Sequence, residues 1–134
     1  MLKRRPIAEI FAEYGQYHQT LWNRRLHAVG IPLIVVTTFG LLGSRAGLAL
    51  LVFALAWGFF RDLRLGLPFA FLSGAAFCVG QSMTTPVLWV GFILGWIFQG
   101  VGHAFAERKS PAFFKSVEQL LVGPYWLVGK LFGY

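Results

Sequence analysis

The chain contains three histidines, and their positions suggest metal chemistry. His18, His27 and His103 each lie near an end of a long stretch without charged residues. Imidazole nitrogens bind iron, zinc, copper and nickel, whereas magnesium and calcium prefer oxygen ligands. Three imidazoles with a nearby carboxylate therefore predict a site for a divalent transition metal, including a non-haem iron with open positions for a substrate and oxygen.

The neighbours of these histidines recur at helical spacing. Each histidine has a polar residue four positions away, on the same face if the segment is helical. Glu107, four residues after His103, is the candidate fourth ligand. The expected hydrogen-bond partners that orient the ligands are Tyr14, Asn23 and Gln99. Because His18 and His27 are nine residues apart, they would face opposite ways on one helix, so the chain must turn between them; Asn23, a favoured N-cap residue, marks the expected turn.

The same residues also have simpler interpretations. A histidine at a membrane boundary often anchors a helix end, and Gln99 could simply bond a neighbouring helix. Glu107 begins a short charged run, residues 107–109, that is partly solvated on this interpretation. Spacing by itself leaves these alternatives open, because the chain has no HxxH or HxxxH pair.

The elements that must position the histidines follow from the uncharged stretches. Residues 26–44, 46–60 and 65–106 contain no Asp, Glu, Lys or Arg. A bilayer core needs roughly 20 apolar residues per helix, so the third stretch is long enough for two spans. A polar, proline-containing segment at 81–86 predicts a hairpin between them. The sequence thus predicts an all-α membrane protein with four short membrane-embedded helices, near residues 28–42, 46–60, 65–80 and 86–106; a re-entrant hairpin over 33–60 is the alternative for the first two.

The basic residues predict the orientation. Eleven of the twelve lie in the N-terminal segment, the second connection or the C-terminal segment, and only Arg45 lies in the first connection. The positive-inside rule then places both termini of a multi-pass protein in the cytoplasm. All three histidines would share one layer at the cytoplasmic boundary. The net charge of +7 is explained by this topology and by attraction to anionic membrane lipid, with no nucleic-acid partner.

Two amphipathic segments flank the predicted spans. Residues 6 to about 19 place apolar side chains on one helix face, which predicts a helix lying on the membrane. A second such helix is predicted after Pro111, with its apolar face formed by Phe113, Phe114, Val117, Leu120 and Leu121. Residues 123–128 are predicted to form an interfacial turn that places Tyr125 and Trp126 at headgroup depth. We interpret residues 1–134 as a single domain, and the one cysteine, Cys78, excludes an internal disulfide.

Two stretches resemble the signature motifs of the Mpo1-like family, also known as domain of unknown function 962. They are YGQYHQTLWNRRLHAVGIP at residues 14–32 and GWIFQGVGHAFAERKSPA at residues 95–112. The later GPYW, at residues 123–126, is similar to a third and less specific motif. Together these motifs extend the resemblance over nearly the whole chain.

The resemblance implies an iron(II)-dependent dioxygenase that carries out α-oxidation of 2-hydroxy fatty acids, shortening the chain by one carbon. In the fungal relatives this reaction takes place in the endoplasmic reticulum on acids derived from phytosphingosine. The motif histidines correspond to His18, His27 and His103 of this chain. Some relatives have a second histidine where this chain has Gln19, so a four-histidine site is not expected. The small size suggests a bacterial relative in the inner membrane, whose own substrate can differ.

The predicted topology accommodates such a substrate. An acyl chain would lie among the apolar helices, while its carboxylate and 2-hydroxyl groups reach the iron at the cytoplasmic boundary, where dioxygen also binds. Cations in the two motifs could neutralise the carboxylate, as arginine does with two hydrogen bonds. The candidates are Arg24, Arg25, Arg108 and Lys109.

Two other classes of protein are compatible with parts of the pattern. A non-catalytic membrane scaffold or small transporter would explain the helices and glycines, although transporters place polar residues near the membrane midplane. A bis-histidine haem protein would use two of the histidines as axial ligands. The sequence does not determine whether the chain forms a homo-oligomer.

Overall fold

The computed structural model describes residues 5–111 and 114–134, and every regular element in these residues is helical. These residues form five α-helices and one π-helical segment that continues the fourth. Their bounds are Ile7–Gly15 (α1), Leu21–Arg61 (α2), Leu63–Ser82 (α3), Thr85–Val101 (α4), Gly102–Glu107 (the π segment) and Gln119–Leu131 (α5). The predicted all-α class is confirmed.

The long helix α2 is interrupted at Gly43, which has φ 73° and ψ 180°. Such a φ is readily adopted only by glycine. Beyond Gly43 the chain folds back. The close approach of the two arms is seen at Gly47, where a Cβ would lie only 2.9 Å from the carbonyl oxygen of Phe39. An unbroken 41-residue helix would instead extend about 60 Å. The break lies between the first two predicted spans, at residues 28–42 and 46–60.

Three helical stretches in the described residues are long and apolar enough to cross a membrane. They are Leu21–Arg61, Leu63–Ser82 and Thr85–Glu107. The structure therefore supports a membrane protein with three such stretches, the first of them folded back. The count of four spans, and the re-entrant alternative, stay predictions.

Glycines allow α2 to pack tightly between α3 and α4. On the α3 side, a Cβ on Gly80 would overlap the carbonyl oxygen of Val36 and lie 2.9 Å from the backbone nitrogen of Gly40. On the α4 side, a Cβ on Gly95 would lie 3.1 Å from the carbonyl oxygen of Gly30. Small residues let helix backbones approach this closely, and the resulting van der Waals contacts contribute to helix packing in lipid.

We expect Gly80→Ala to destabilise the protein, because its methyl group would separate two backbones that are in contact. Overpacking of this kind costs about 1–3 kcal/mol. Gly74→Ala is the matched control on the same helix, since a Cβ there meets nothing within 4 Å. Thermal unfolding in detergent should show a lower Tm for Gly80→Ala only. Equal Tm values for the two variants would show that the contact between α2 and α3 at Gly80 contributes little to stability.

The terminal helices α1 and α5 pack together against one end of α2 and α3. Tyr125 is fully buried, and its hydroxyl donates to the carbonyl oxygens of Gly58 (2.9 Å) and Asp62 (3.0 Å). Trp126 is 6% exposed. The prediction that residues 123–128 form an interfacial turn is therefore wrong. These residues belong to α5, and their aromatic side chains fill the core that joins the termini to the bundle.

The terminal helices also have bounds that differ from the predicted ones. Helix α1 ends at Gly15 rather than near residue 19. Helix α5 begins at Gln119 and continues to Leu131, whereas residues 114–118, which were predicted to be helical, form an irregular connection with a 3₁₀ conformation at Phe114. Phe113, part of the predicted apolar face, lies outside the described residues.

Polar contacts also join the end of α2 to the segment just before α5. Arg61, at the end of α2, forms an ion pair with Glu118, which also accepts a hydrogen bond from the Trp57 indole (3.0 Å). At the opposite end, the side-chain amide of Gln81 donates to the carbonyl oxygen of Phe39 (2.7 Å). This arrangement agrees with a shared side for the termini and the second connection. The cytoplasmic orientation of that side stays a prediction.

Candidate metal centre

The three histidines come together from three separate segments. His18 lies in the connection between α1 and α2, His27 in the first turns of α2, and His103 in the π segment. One ring nitrogen from each forms a group in which all atoms lie within 4.8 Å of one another. The predicted convergence of the imidazoles is confirmed; their role as metal ligands is taken up below as a proposal.

The chain turns between His18 and His27 as expected, but at a different residue. Helix α2 begins at Leu21, and Thr20 is its N-cap, with its hydroxyl accepting a hydrogen bond from the backbone N–H of Asn23. Asn23 is therefore inside the helix rather than at its cap. Threonine directly before an apolar helix is itself a favoured N-cap, so the same rule applied to Thr20 would have located the turn.

Backbone hydrogen bonds orient two of the imidazoles. His18 Nδ1–H donates to the carbonyl oxygen of Tyr14 (2.8 Å), and His27 Nδ1–H donates to that of Asn23 (2.9 Å). This assignment leaves the Nε2 lone pair of each of these two rings free to accept a hydrogen bond or a metal ion. Metal-binding histidines are typically fixed in this way through their other nitrogen.

The cluster is buried and chemically unsatisfied. The three histidines are between 0% and 4% exposed. His18 Nε2 and His103 Nδ1 are buried without a hydrogen-bond partner in the described residues, while His27 Nε2 and His103 Nε2 are 3.1 Å apart. Burial lowers the pKa of His18 to about 4, so this imidazole is neutral at pH 7, the form that binds metals. Buried nitrogens without partners are costly, and a bound metal ion would satisfy them.

Glu107 has a different place from the one predicted. The group of close ligand atoms that could hold a metal ion contains the three histidines and not Glu107. Its Oε1 accepts hydrogen bonds from the backbone N–H (2.6 Å) and hydroxyl (3.0 Å) of Thr20, at the positive end of the α2 dipole. The wide π turn takes Glu107 out of the predicted row with His103. This arrangement does not support Glu107 as a ligand.

The three expected partner residues all lie beside the cluster. The Tyr14 ring stacks on His18, with centroids 4.1 Å apart and planes at 16°. The Asn23 side chain donates to the carbonyl oxygen of Tyr17 (2.9 Å), which ties the start of α2 to the preceding connection. Gln99 is 8% exposed and lies against Gly30. Tyr14 and Asn23 orient the histidines by accepting hydrogen bonds at their backbone carbonyls. Side-chain spacing in the sequence does not reveal backbone contacts of this kind.

An apolar cavity of about 410 Å³ begins at the histidines and continues between the helices. This volume is within the range of roughly 300–1,000 Å³ that is usual for small-molecule sites. His18, His103 and Gln99 lie at its polar end. The remaining wall is almost entirely apolar and includes Ile31, Ile34, Val35, Phe39, Leu50, Ala54, Phe69, Phe92 and Trp96.

The four candidate cations divide into two pairs. Arg108 and Lys109 line a recess that shares Trp96, Gln99 and His103 with the cavity. Arg24 instead lies in a groove on the other side of His18, and its Nε–H donates to the His18 carbonyl oxygen (2.7 Å). Arg25 lies over the ring of Trp22. Of these four cations, only Arg108 and Lys109 lie in the recess that adjoins the polar end of the cavity, which we call its mouth.

Two further residues contribute to the site without having been predicted. Trp126 packs against His18, with ring centroids 5.5 Å apart. Gly102 lies so close to Asn23 that a Cβ there would overlap its Oδ1. Trp126 belongs to GPYW, the third motif that resembles the family, and the sequence predicts it at headgroup depth and not beside a histidine. Nothing in the sequence distinguishes Gly102 from the other helix glycines.

Comparison with known proteins agrees with this geometry. The family model described as "2-hydroxy-palmitic acid dioxygenase Mpo1-like" matches residues 4–60 and 65–134. No curated protein matches the chain, and no solved structure does so. The match includes all three histidines and nearly the whole sequence, so the chain belongs to the Mpo1-like family.

Proposed function

We propose that this member of the Mpo1-like family is an iron(II)-dependent dioxygenase that shortens 2-hydroxy fatty acids by one carbon. Family membership implies a 2-hydroxy fatty acid dioxygenase. The observation that carries the proposal for this chain is a cluster of three buried imidazoles, two of which, His18 and His103, line the polar end of an apolar cavity. A fatty acid has the matching polarity, with one polar end and a long apolar chain.

The histidines would hold the metal ion through one nitrogen each. Two of them are oriented by backbone carbonyls, so little side-chain entropy is lost on binding. The group of ligands is neutral and contains no carboxylate. When bound, ferrous iron would supply the redox chemistry by which dioxygen oxidises the 2-hydroxy acid to the acid one carbon shorter, with carbon dioxide and water as the other products.

The charge of this site favours an anionic substrate. A divalent cation held by neutral imidazoles in a buried site retains its charge, and a substrate carboxylate would compensate it. Arg108 and Lys109 at the recess add positive charge along the same approach. The apolar wall would hold the acyl chain and exclude water from the site.

The cluster is unsuited to a bis-histidine haem. His27 Nε2 and His103 Nε2 are 3.1 Å apart, in hydrogen-bond contact, which leaves no space for a porphyrin between them. The third imidazole also lies within the same group. A scaffold would have no need of three clustered, buried imidazoles, two of which have an unpaired ring nitrogen.

The test is a reconstitution of the purified protein. Protein purified without oxygen would be analysed for metal, loaded with iron(II), and given 2-hydroxypalmitate and oxygen. Mass spectrometry should detect the acid that is one carbon shorter. Palmitate, which lacks the 2-hydroxyl, is the substrate control, and zinc-loaded protein is the metal control. Equal turnover of both acids, or full activity with zinc, would contradict the proposal.

Arg108→Ala is expected to raise KM for 2-hydroxypalmitate with little change in kcat. The carboxylate is charged before and during the reaction, so its cation contributes uniform binding. Hydrogen bonds to charged groups contribute about 1.5–3 kcal/mol, which corresponds to a KM increase of roughly tenfold or more. Steady-state kinetics would measure the change.

Arg25→Ala is the matched control for this prediction. It removes an equal charge from an exposed position over Trp22, away from the cavity mouth. Its kinetics should stay near those of the wild type. If both variants raise KM equally, the effect is one of general membrane charge and not of a carboxylate contact.

A further inference from the structure

The cavity has a well-defined deep end. From His27 to Thr38 the helix α2 rises roughly 16 Å at 1.5 Å per residue, and both Thr38 and Phe39 line the cavity at that depth. Leu50, from the returning arm of α2, lines the same cavity. It lies one turn beyond Gly47, which contacts the carbonyl of Phe39.

Close helix packing ends the space directly beyond Phe39. Gly40, the next residue, would place a Cβ 2.6 Å from the carbonyl oxygen of Gly80. The Phe39 carbonyl is held by the Gln81 side chain (2.7 Å), and its ring packs edge-on against Phe77 with centroids 5.8 Å apart. Phe39 is 4% exposed. Its ring is therefore packed against neighbouring helices, and displacing it would cost these contacts.

We propose that Phe39, with Thr38 and Leu50 beside it, forms the stop that sets the acyl-chain length of the substrate. The proposal rests on the proposed function, because it takes the carboxylate end of the acid to lie at the histidines. An acid whose chain ends short of Phe39 leaves part of the apolar wall uncovered. An acid whose chain is too long must displace a packed ring.

This arrangement predicts the dependence of affinity on chain length. Each methylene buried adds about fourfold in affinity until the chain reaches Phe39. Beyond that point the gain stops and affinity falls, because a packed wall does not yield without loss of contacts. A groove open at its far end would instead give a continuing rise or a plateau.

The experiment measures binding and turnover separately. Saturated 2-hydroxy acids of increasing length would be titrated calorimetrically into the protein as isolated, without oxygen, and oxygen would then be added for product analysis. Phe39→Leu and Phe39→Ala remove wall volume and should move the optimum to longer acids, with about fourfold gain for the first acid beyond the wild-type optimum. Thr38→Phe adds volume and should weaken the wild-type optimum roughly tenfold.

Phe53→Ala is the matched control, since Phe53 is 60% exposed on the same helix and does not line the cavity. Its length profile should equal that of the wild type. Phe39→Leu is the smaller change and is informative even if the alanine variant does not fold. Thr38→Phe tests the effect of reducing the cavity volume instead of enlarging it. Unchanged length profiles in all three wall variants would overturn the stop.

The proposed function can fail independently of the stop. A chain-length optimum that shifts in the wall variants, with no shortened acid formed after oxygen is added, would support the stop and contradict the dioxygenase. Turnover with a profile that the wall variants do not change would support the dioxygenase and contradict the stop.

Discussion

His27→Ala is expected to abolish turnover of 2-hydroxypalmitate and to remove most of the bound metal. His27 is fully buried, its Nδ1–H is fixed by the Asn23 carbonyl, and its Nε2 lies 3.1 Å from His103 Nε2. Changes to residues that merely orient a ligand cost about 10–100-fold in metal affinity. Loss of one of three ligands should exceed that range, and the remaining two imidazoles would leave the metal largely exchangeable.

The measurement is metal content after dialysis against a weak chelator, alongside product analysis. Thr37→Ala is the control, because Thr37 is another buried polar residue on α2 (2% exposed) whose hydroxyl donates only to nearby backbone carbonyls. It should retain both metal and activity. Retention of metal by His27→Ala with wild-type affinity would remove this histidine from the ligand set.

The predicted topology placed His27 and His103 at the same end of the molecule, and the family resemblance suggested that they meet there with His18. A residue that starts the first apolar stretch and one that ends the last lie at the same side when the number of crossings is even. His27 and His103 have these positions, and the structure brings them into contact. The helical class followed with equal directness from the long uncharged stretches. The break near Gly43 was also anticipated, because Arg45 interrupts the apolar pattern there.

The error at residues 123–128 arose from tertiary burial of residues that also suit a membrane interface. Tyr and Trp are frequent at headgroup depth, and that rule placed Tyr125 and Trp126 there. In the structure they are core residues, because α1 and α5 form a second layer over the end of α2 and α3. The hydropathy of one segment contains no information about a second layer packed on it.

The role of Glu107 could not be obtained from spacing, since spacing assumes a regular helix. Four-residue intervals align Gln99, His103 and Glu107 only if the helix is α throughout. The π segment from Gly102 changes the register after His103. π turns are rare and often occur at functional sites, and no residue pattern in this chain predicts one.

Gly102→Ala is expected to damage the metal site as strongly as loss of an orienting residue. A Cβ at this position would overlap Asn23 Oδ1 and lie 3.5 Å from His27 Cε1. Asn23 anchors His27 through its carbonyl, and Gly102 begins the segment that carries His103. The added methyl group therefore pushes two of the three histidines apart. We expect metal affinity to fall about 10–100-fold and the free energy of unfolding to fall by about 1–3 kcal/mol.

Gly100→Ala is the matched control two residues away. A Cβ at Gly100 meets nothing within 4 Å, so this substitution should leave metal affinity unchanged and, by the better helix propensity of alanine, leave stability equal or raise it by up to about 1 kcal/mol. Metal titration and thermal unfolding of the two variants would separate the local clash from the general effect of replacing a helix glycine.

The double variant Gly102→Ala with Asn23→Ala identifies the source of the clash. Removing the Asn23 side chain makes room for the methyl group, so the two losses of stability should combine to less than their sum. Metal affinity should recover in part, because the anchor of His27 is the Asn23 backbone carbonyl, which alanine retains. Strictly additive losses, or wild-type affinity in Gly102→Ala alone, would show that the contact between the π segment and α2 does not position the histidines.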